Sequence, residues 1–331
     1  MKIDTNKYLS EMTTTGIGGL VNLVFWPTNY SELIEAIRFC NERKMAFFVL
    51  AGGSNTIFPD KDLKYGQSVI NITQFSNYEI KEQDNKTVIE LDPGVELQTV
   101  VDLTLQNNLG GAIGLNRVPG SIGGAVVGNA GAYGTETKDV VQKVEFIRLS
   151  EVKKQPDWVN IYSLENSECF FGYRDSIFKH DKDILITRIY LEFQKSENPE
   201  IDKAKYDEIA TKRDAIYPKG FQSPGSLFKN ILFSSLPKEV QKNIPSDWVV
   251  FGDKLPVGKL LENVEAQGFQ VGQMKQRDTH ANIMTNLGGG TFSDAVTVVE
   301  ELKKKVYNKF KIEIEAEVRF VPKDFKDFFD C

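Results

Sequence analysis

Residues 110–134, GGAIGLNRVPGSIGGAVVGNAGAYG, carry nine glycines in twenty-five positions, where ordinary usage gives about two. A backbone this rich in glycine turns at positive φ, or lets another group approach where a Cβ would stand. Ile113, Leu115, Val118, Ile122, Val126 and Val127 supply apolar contacts between the glycines, so the stretch reads as folded. No three-residue glycine period runs through it, which excludes a collagen-like chain. Free N–H groups in such turns form a concave site that suits a pyrophosphate. A tight structural crossover would use the same glycines, and the stretch alone does not separate the two.

A second loop of this kind lies upstream. Residues 46–50 read as a short buried strand that runs into Ala51-Gly52-Gly53-Ser54-Asn55. A strand opening into such a loop presents N–H groups and short polar side chains to an anion, although the same residues also make plain turns. Strands at 21–26, 68–72 and 86–91 and helices at 31–40 (capped by Ser31) and 96–106 complete the approach to the glycine-rich stretch. Neither loop is a Rossmann fingerprint, because neither is GxGxxG with an acidic residue about twenty positions on. A dinucleotide held by two separate loops is the better reading.

Bulk properties limit the alternatives. The chain has 331 residues, 41% hydrophobic and 26% charged, and a net charge of −6. That length predicts two or three domains, and that charge argues against a nucleic-acid footprint. No apolar run is long enough to span a bilayer, and the first residues lack the apolar core of a secretory signal. Cys40, Cys169 and Cys331 are odd in number and widely spaced, which predicts reduced thiols in the cytoplasm. Two histidines, His180 and His280, and no CxxC give no metal site.

Beyond the glycine stretch, strands are expected at 141–149 and 184–193, separated by YRDSIFK at 173–179. A polar run at 194–213 reads as a linker or solvated helix. The remainder opens on PGSLFKN at 224–230, continues through THANIMTN at 279–286, and forms a helix capped by Ser293. Residues 312–321 alternate as a strand, with Glu313, Glu315, Glu317 and Arg319 on one face. Four charges on a strand face ordinarily meet solvent.

Taken in order, AGGSN, VPGSIGGAVVGNAGAYG, YRDSIFK, PGSLFKN, THANIMTN and IEAEVR resemble the UDP-N-acetylenolpyruvoylglucosamine reductase family over nearly the whole chain. The resemblance implies an α+β protein: a two-lobed FAD-binding domain of the vanillyl-alcohol-oxidase (PCMH) type, then a C-terminal α+β substrate-binding domain. The expected divisions are 1–66 and 67–205 for the lobes and 206–331 for the substrate domain. It further implies that NADPH reduces bound FAD, and that hydride then passes from flavin N5 to the enolpyruvyl group of UDP-N-acetylglucosamine enolpyruvate. The product is UDP-N-acetylmuramate, for peptidoglycan synthesis in a bacterial cytoplasm.

Residue by residue, the resemblance assigns catalysis to Arg174, Ser226 and Glu317. Arg174 would neutralise the substrate carboxylate, Ser226 would donate the proton, and Glu317 would act near the same carboxylate. FAD contacts are expected from Gly52, Gly53, Ser54, Asn55, Pro119, Gly120, Ser121, Gly123, Gly124, Asn129, Gly131, Ala132, Tyr133 and Arg319. Substrate contacts are expected from Tyr173, Lys229 and Asn230. No histidine lies in either loop to link a flavin covalently, so FAD is expected to be non-covalent, and the chain a monomer. Ala51, Pro224 and Ile231 depart from the commoner residues of the pattern. The stretch between Arg174 and Ser226 has no evident tyrosine-bearing loop, as in the family's shorter subtype, whereas YRDSIFK is typical of the longer; the subtype stays open. The alternatives are another non-covalent FAD oxidoreductase on this scaffold, which has no use for this catalytic trio, or an inactive UDP-sugar-binding relative.

Overall fold

The computed structural model describes residues 1–61, 67–83, 85–154, 159–250 and 252–322. Cys331 and the end of the chain lie outside them. The first sheet has strand order Lys2–Tyr8, Leu20–Trp26, Ser68–Asn71, Phe47–Leu50. The first pair is antiparallel and the other two pairs are parallel. Helix Tyr30–Glu42 buries Leu33, Ile34, Ala36, Ile37 and Cys40 on one side, the stripe expected of a 3.6-residue period. Its cap is Asn29 rather than Ser31. Asn29 has extended φ/ψ and its side chain accepts from the Glu32 N–H at 3.0 Å, while Ser31 already lies in the first turn. Strand Lys2–Tyr8 escaped the sequence reading because it is a polar edge strand with an almost wholly exposed pattern.

A five-stranded antiparallel sheet follows, in order Tyr162–Glu165, Val141–Arg148, Ile184–Gln194, Lys86–Leu91, Tyr78–Gln83. Its core joins Ile89, Leu91, Val144, Ile189 and Leu191 to the helices Leu97–Gln106 and Ile122–Gly128. The polar run after it is helix Pro199–Ile216, capped by Asn198 with Pro199 in its first turn, and only Ile209 on it is buried.

Two expected divisions move. Strand Ser68–Asn71 pairs with both Leu20–Trp26 and Phe47–Leu50, so the first sheet continues past residue 66. The division at 205/206 falls inside helix Pro199–Ile216. That helix is tied to the second sheet's helices: Tyr206 donates to Asp102 at 2.8 Å, and its carbonyl accepts from Asn116 at 2.8 Å.

The last third packs helix Phe292–Phe310 through Ala295, Val298, Val299, Leu302 and Val306 over Leu227, Phe228, Leu260, Leu261, Met274 and Met284. The cap is Thr291, in a reciprocal capping box with Asp294, and Ser293 lies inside the helix. The predicted strand 312–321 keeps its alternation, with Ile312, Ile314 and Val318 buried. It pairs as a strand only at Arg319–Phe320, parallel to Thr56–Ile57. That pairing joins the end of the described chain to the first sheet's loop, and Ile57 sits in the core of the last third.

Candidate active site

The two glycine loops touch. A Cβ on Gly52 would stand 3.3 Å from Gly120 Cα, and one on Gly120 would stand 2.7 Å from Ser54 Oγ. Ser54 donates to the Pro119 carbonyl at 3.3 Å. Gly53 has φ +59°, and its Cβ would meet the Met12 carbonyl oxygen at 2.3 Å; only glycine fits there. Ser121 caps helix Ile122–Gly128 by accepting from the Gly124 N–H at 3.2 Å, and Gly123 lies too close to Pro93 for a side chain. Among the described residues, the backbone N–H groups of Gly52, Gly53, Ser54, Asn55, Gly120 and Ser121 donate to no protein acceptor. Backbone donors converging where side chains are excluded fit a pyrophosphate. The Asn55 amide is engaged elsewhere, donating to the Glu317 carbonyl at 3.1 Å, while the Asn55 carbonyl accepts from the Arg319 N–H at 3.0 Å.

The rest of the glycine stretch leads to a turn. Asn129, buried and left-handed at φ 40°, donates to the Gly172 carbonyl at 2.7 Å and to Glu136, and accepts from the Lys138 N–H at 3.0 Å. Its side chain is therefore a tie between segments. Burial would raise the Glu136 carboxyl, but Lys138 and Lys254 beside it hold it below its ordinary value. Gly131–Ala132 and Thr135–Glu136 form a small hairpin with Tyr133 at the tip, 41% exposed.

Gly172 and Asp175 exchange backbone hydrogen bonds of 2.9 and 3.3 Å, closing a turn over Tyr173 and Arg174. Arg174 has φ 55°, a conformation that L side chains resist. Its Nε donates to Glu317 Oε1 at 2.6 Å and its Nη2 to the Gly131 carbonyl at 2.7 Å. The ion pair is about four-fifths buried on both sides. Tyr173 lies under the Lys254 ammonium, 4.6 Å from its ring centroid, and burial raises its phenol above the usual value. Its hydroxyl accepts from the Asn230 N–H at 3.3 Å.

PGSLFKN lies beside IEAEVR. The Leu227 carbonyl accepts from the Glu317 N–H at 2.8 Å, and Phe228 bridges Ala316. Ser226 bridges Ile283 through its backbone and is half-buried; its hydroxyl has no partner among the described residues. Glu315, two residues before Glu317 on the same face, is 71% exposed and pairs with Lys229. So one charged face divides: Glu313 and Glu315 meet solvent, whereas Glu317 and Arg319 turn inward. Burial pulls Arg319 below its ordinary value. The Asn230 side-chain oxygen accepts from the Val257 N–H at 3.1 Å, which orients its amide N–H groups.

Arg174 and Glu317 pair directly from separate segments, and Ser226 precedes Leu227, whose carbonyl binds the Glu317 N–H. Lys254 over Tyr173 had no signal in the sequence. Lys179, inside YRDSIFK, donates to the Arg174 carbonyl at 2.8 Å, a local partnership that the motif contained but spacing did not reveal. His180 pairs with Asp175 at the surface, and burial lowers His280. Neither belongs to a metal-ligating cluster among the described residues.

Residues 21–150 match the model of an FAD binding domain, and residues 217–321 match that of the UDP-N-acetylenolpyruvoylglucosamine reductase C-terminal domain. The UDP-N-acetylenolpyruvoylglucosamine reductase of Solibacter usitatus is 32% identical, with 97% of this chain and 97% of that protein aligned. The chain belongs to the UDP-N-acetylenolpyruvoylglucosamine reductase family. The Thermotoga maritima reductase is also 32% identical, over 94% of this chain and 95% of its own. A crystal structure of the Thermus caldophilus reductase superposes with a TM-score of 0.72 at 22% identity, covering 97% of this chain and all of that one, and shares the fold. The match to the C-terminal domain model begins at Tyr217, one residue past the end of helix Pro199–Ile216.

Proposed function

We propose that this protein is an FAD-dependent, NADPH-driven reductase that converts UDP-N-acetylglucosamine enolpyruvate to UDP-N-acetylmuramate in peptidoglycan synthesis. Family membership supports the reaction, and the convergence of Arg174, Glu317 and Ser226 beside two paired glycine loops carries it. Residues 1–71 and 72–216 are read as the FAD-binding lobes and 217–322 as the substrate domain.

The unsatisfied N–H groups at Gly52–Asn55 and at Gly120 and Ser121 would hold the FAD pyrophosphate, with Pro119, Gly123 and Gly124 shaping the approach. Gly131, Ala132, Tyr133 and Arg319 line the remaining path, and Asn129 holds it together. When bound, FAD supplies the hydride and is recharged by NADPH. Hydride arrival at the β-carbon of an enolpyruvyl carboxylate drives negative charge toward that carboxylate. The planar guanidinium of Arg174 suits it, and two fixed acceptors hold that guanidinium in one orientation before the substrate arrives. Glu317 shares the Arg174 charge and orients it. Ser226, with no internal partner, gives its proton to the α-carbon, held against the enolate because a serine is a poor acid in water. Lys229, Tyr173 and the Asn230 side chain contact the substrate. The protein is further read as a cytoplasmic monomer, which sedimentation and cell fractionation test.

An anaerobic visible spectrum tests the assignment. Flavin absorbance should bleach with NADPH and return when UDP-N-acetylglucosamine enolpyruvate is added. Bleaching without return would leave an FAD oxidoreductase with another substrate, and protein that takes up no FAD would sink the reading of the glycine loops.

A further inference from the structure

Lys179 is half-buried at the end of the one-turn helix Ile177–His180, and it forms no ion pair among the described residues. Its Nζ donates to the Arg174 carbonyl at 2.8 Å. Burial and the neighbouring Lys229 ammonium push the Lys179 ammonium below its ordinary value, against the opposing pull of Asp175 and Glu315. A lysine brought partly out of water without a direct ion pair is costly, and its hydrogen bond goes to the Arg174 carbonyl instead. The residue it grips is the one that needs holding. Arg174 sits at φ 55°, a left-handed conformation that is strained for any residue with a Cβ. The Gly172–Asp175 exchange pins the two ends of the turn, but neither bond reaches the Arg174 carbonyl.

We propose that Lys179 is a positioning residue. Its ammonium locks the Arg174 peptide in the left-handed turn and so aims the guanidinium at the point where carboxylate charge develops. This rests on the reductase reading above and extends it to a residue outside the contacts proposed there. Lys179 acts at one remove, through the backbone of the residue five positions earlier.

The test is rapid-reaction kinetics on flavin-loaded Lys179→Met, with substrate affinity for the oxidised protein measured separately by calorimetry. Reduction by NADPH should match wild type, while reoxidation at saturating enolpyruvyl substrate should slow about 10–100-fold, the scale of a misplaced catalytic group. Substrate affinity should stay within about threefold, and Lys179→Arg should recover most of the rate by restoring a charged donor. In an Arg174→Ala background, Lys179→Met should add no further slowing, because the group it positions is gone. If Lys179→Met does not retain flavin, Lys179→Gln, one bond shorter and uncharged, replaces it with the same expectations. Unchanged reoxidation, a loss confined to substrate affinity, or equal slowing in both backgrounds would overturn the proposal. A wild-type protein whose bleached flavin does not return with the enolpyruvyl substrate would instead remove the functional reading itself.

Discussion

In the paired loops, Gly53 and Gly123 stand where a Cβ would press into backbone or proline within 3 Å. In the turn at residues 172–175, Arg174 adopts the same left-handed region with a full side chain; it donates to Gly131 and Glu317, accepts from Lys179, and follows Gly172, whose carbonyl accepts from Asn129. The loops obtain their shape by omitting side chains, and the turn obtains its shape by tethering one. The difference follows from what each presents. A pyrophosphate is met by backbone N–H groups, so bare backbone is the useful surface. A developing carboxylate charge is met by a guanidinium, whose aim must be fixed before the reaction begins.

The largest effect expected separates the two regions by half-reaction. Ser226→Ala should leave flavin reduction by NADPH intact and slow reoxidation by the enolpyruvyl substrate about 10²–10⁴-fold, read by stopped-flow absorbance. Equal slowing of both halves would make Ser226 structural and erase the distinction. On the loop side, Gly53→Ala forces a Cβ onto the Met12 carbonyl and should cost about 3 kcal/mol. Protein purified from this variant should carry less flavin and melt earlier; full flavin content would show that the loop tolerates a side chain after all. Asn129→Ala probes the seam between the regions. It strips partners from the Gly172 carbonyl and the Lys138 N–H, and chemical denaturation should register a loss of about 2 kcal/mol.

The smallest effect lies outside both regions and serves as a control. Hydrogen bonds from the Met1 amine and Thr28 depress the Glu32 carboxyl to about 2. A depressed carboxyl contributes stability that is complete above its unfolded value near 4.5 and fades as pH falls toward about 2. Glu32→Gln should flatten that acid limb slightly in a pH-dependent melt and leave both half-reactions unchanged.

How much of this the sequence disclosed depends on how far each signal reaches. The glycine stretch was legible because its constraint is local, a composition that no ordinary strand or helix tolerates. Helix Phe292–Phe310 and strand Ile184–Gln194 were legible from periodicity, within a residue or so. Caps slipped by two residues at Asn29 and Thr291, because serine, asparagine and threonine share the same capping chemistry. The charged face at 312–321 misled, since alternation reports which side is buried but not what buries it. Glu317 points inward only because Arg174, 143 positions earlier, lies opposite. Local chemistry carried no trace of that pairing, and only the resemblance joined the two. Lys254 above Tyr173 had no signal at all, being a common surface residue that the tertiary fold places over a ring.

That separation between Arg174 and its carboxylate also sets a clock. At translation rates of about 5–20 residues per second, the 143 intervening residues take on the order of ten seconds to emerge. Every strand of the second sheet, which ends at Gln194, is synthesised well before Glu317, so Arg174 leaves the ribosome ahead of its carboxylate partner. The charge balance of the site is thus written last, by the same segment that stitches Arg319–Phe320 onto Thr56–Ile57. A chain stopped short of residue 317 would present Arg174 without the carboxylate that orients it.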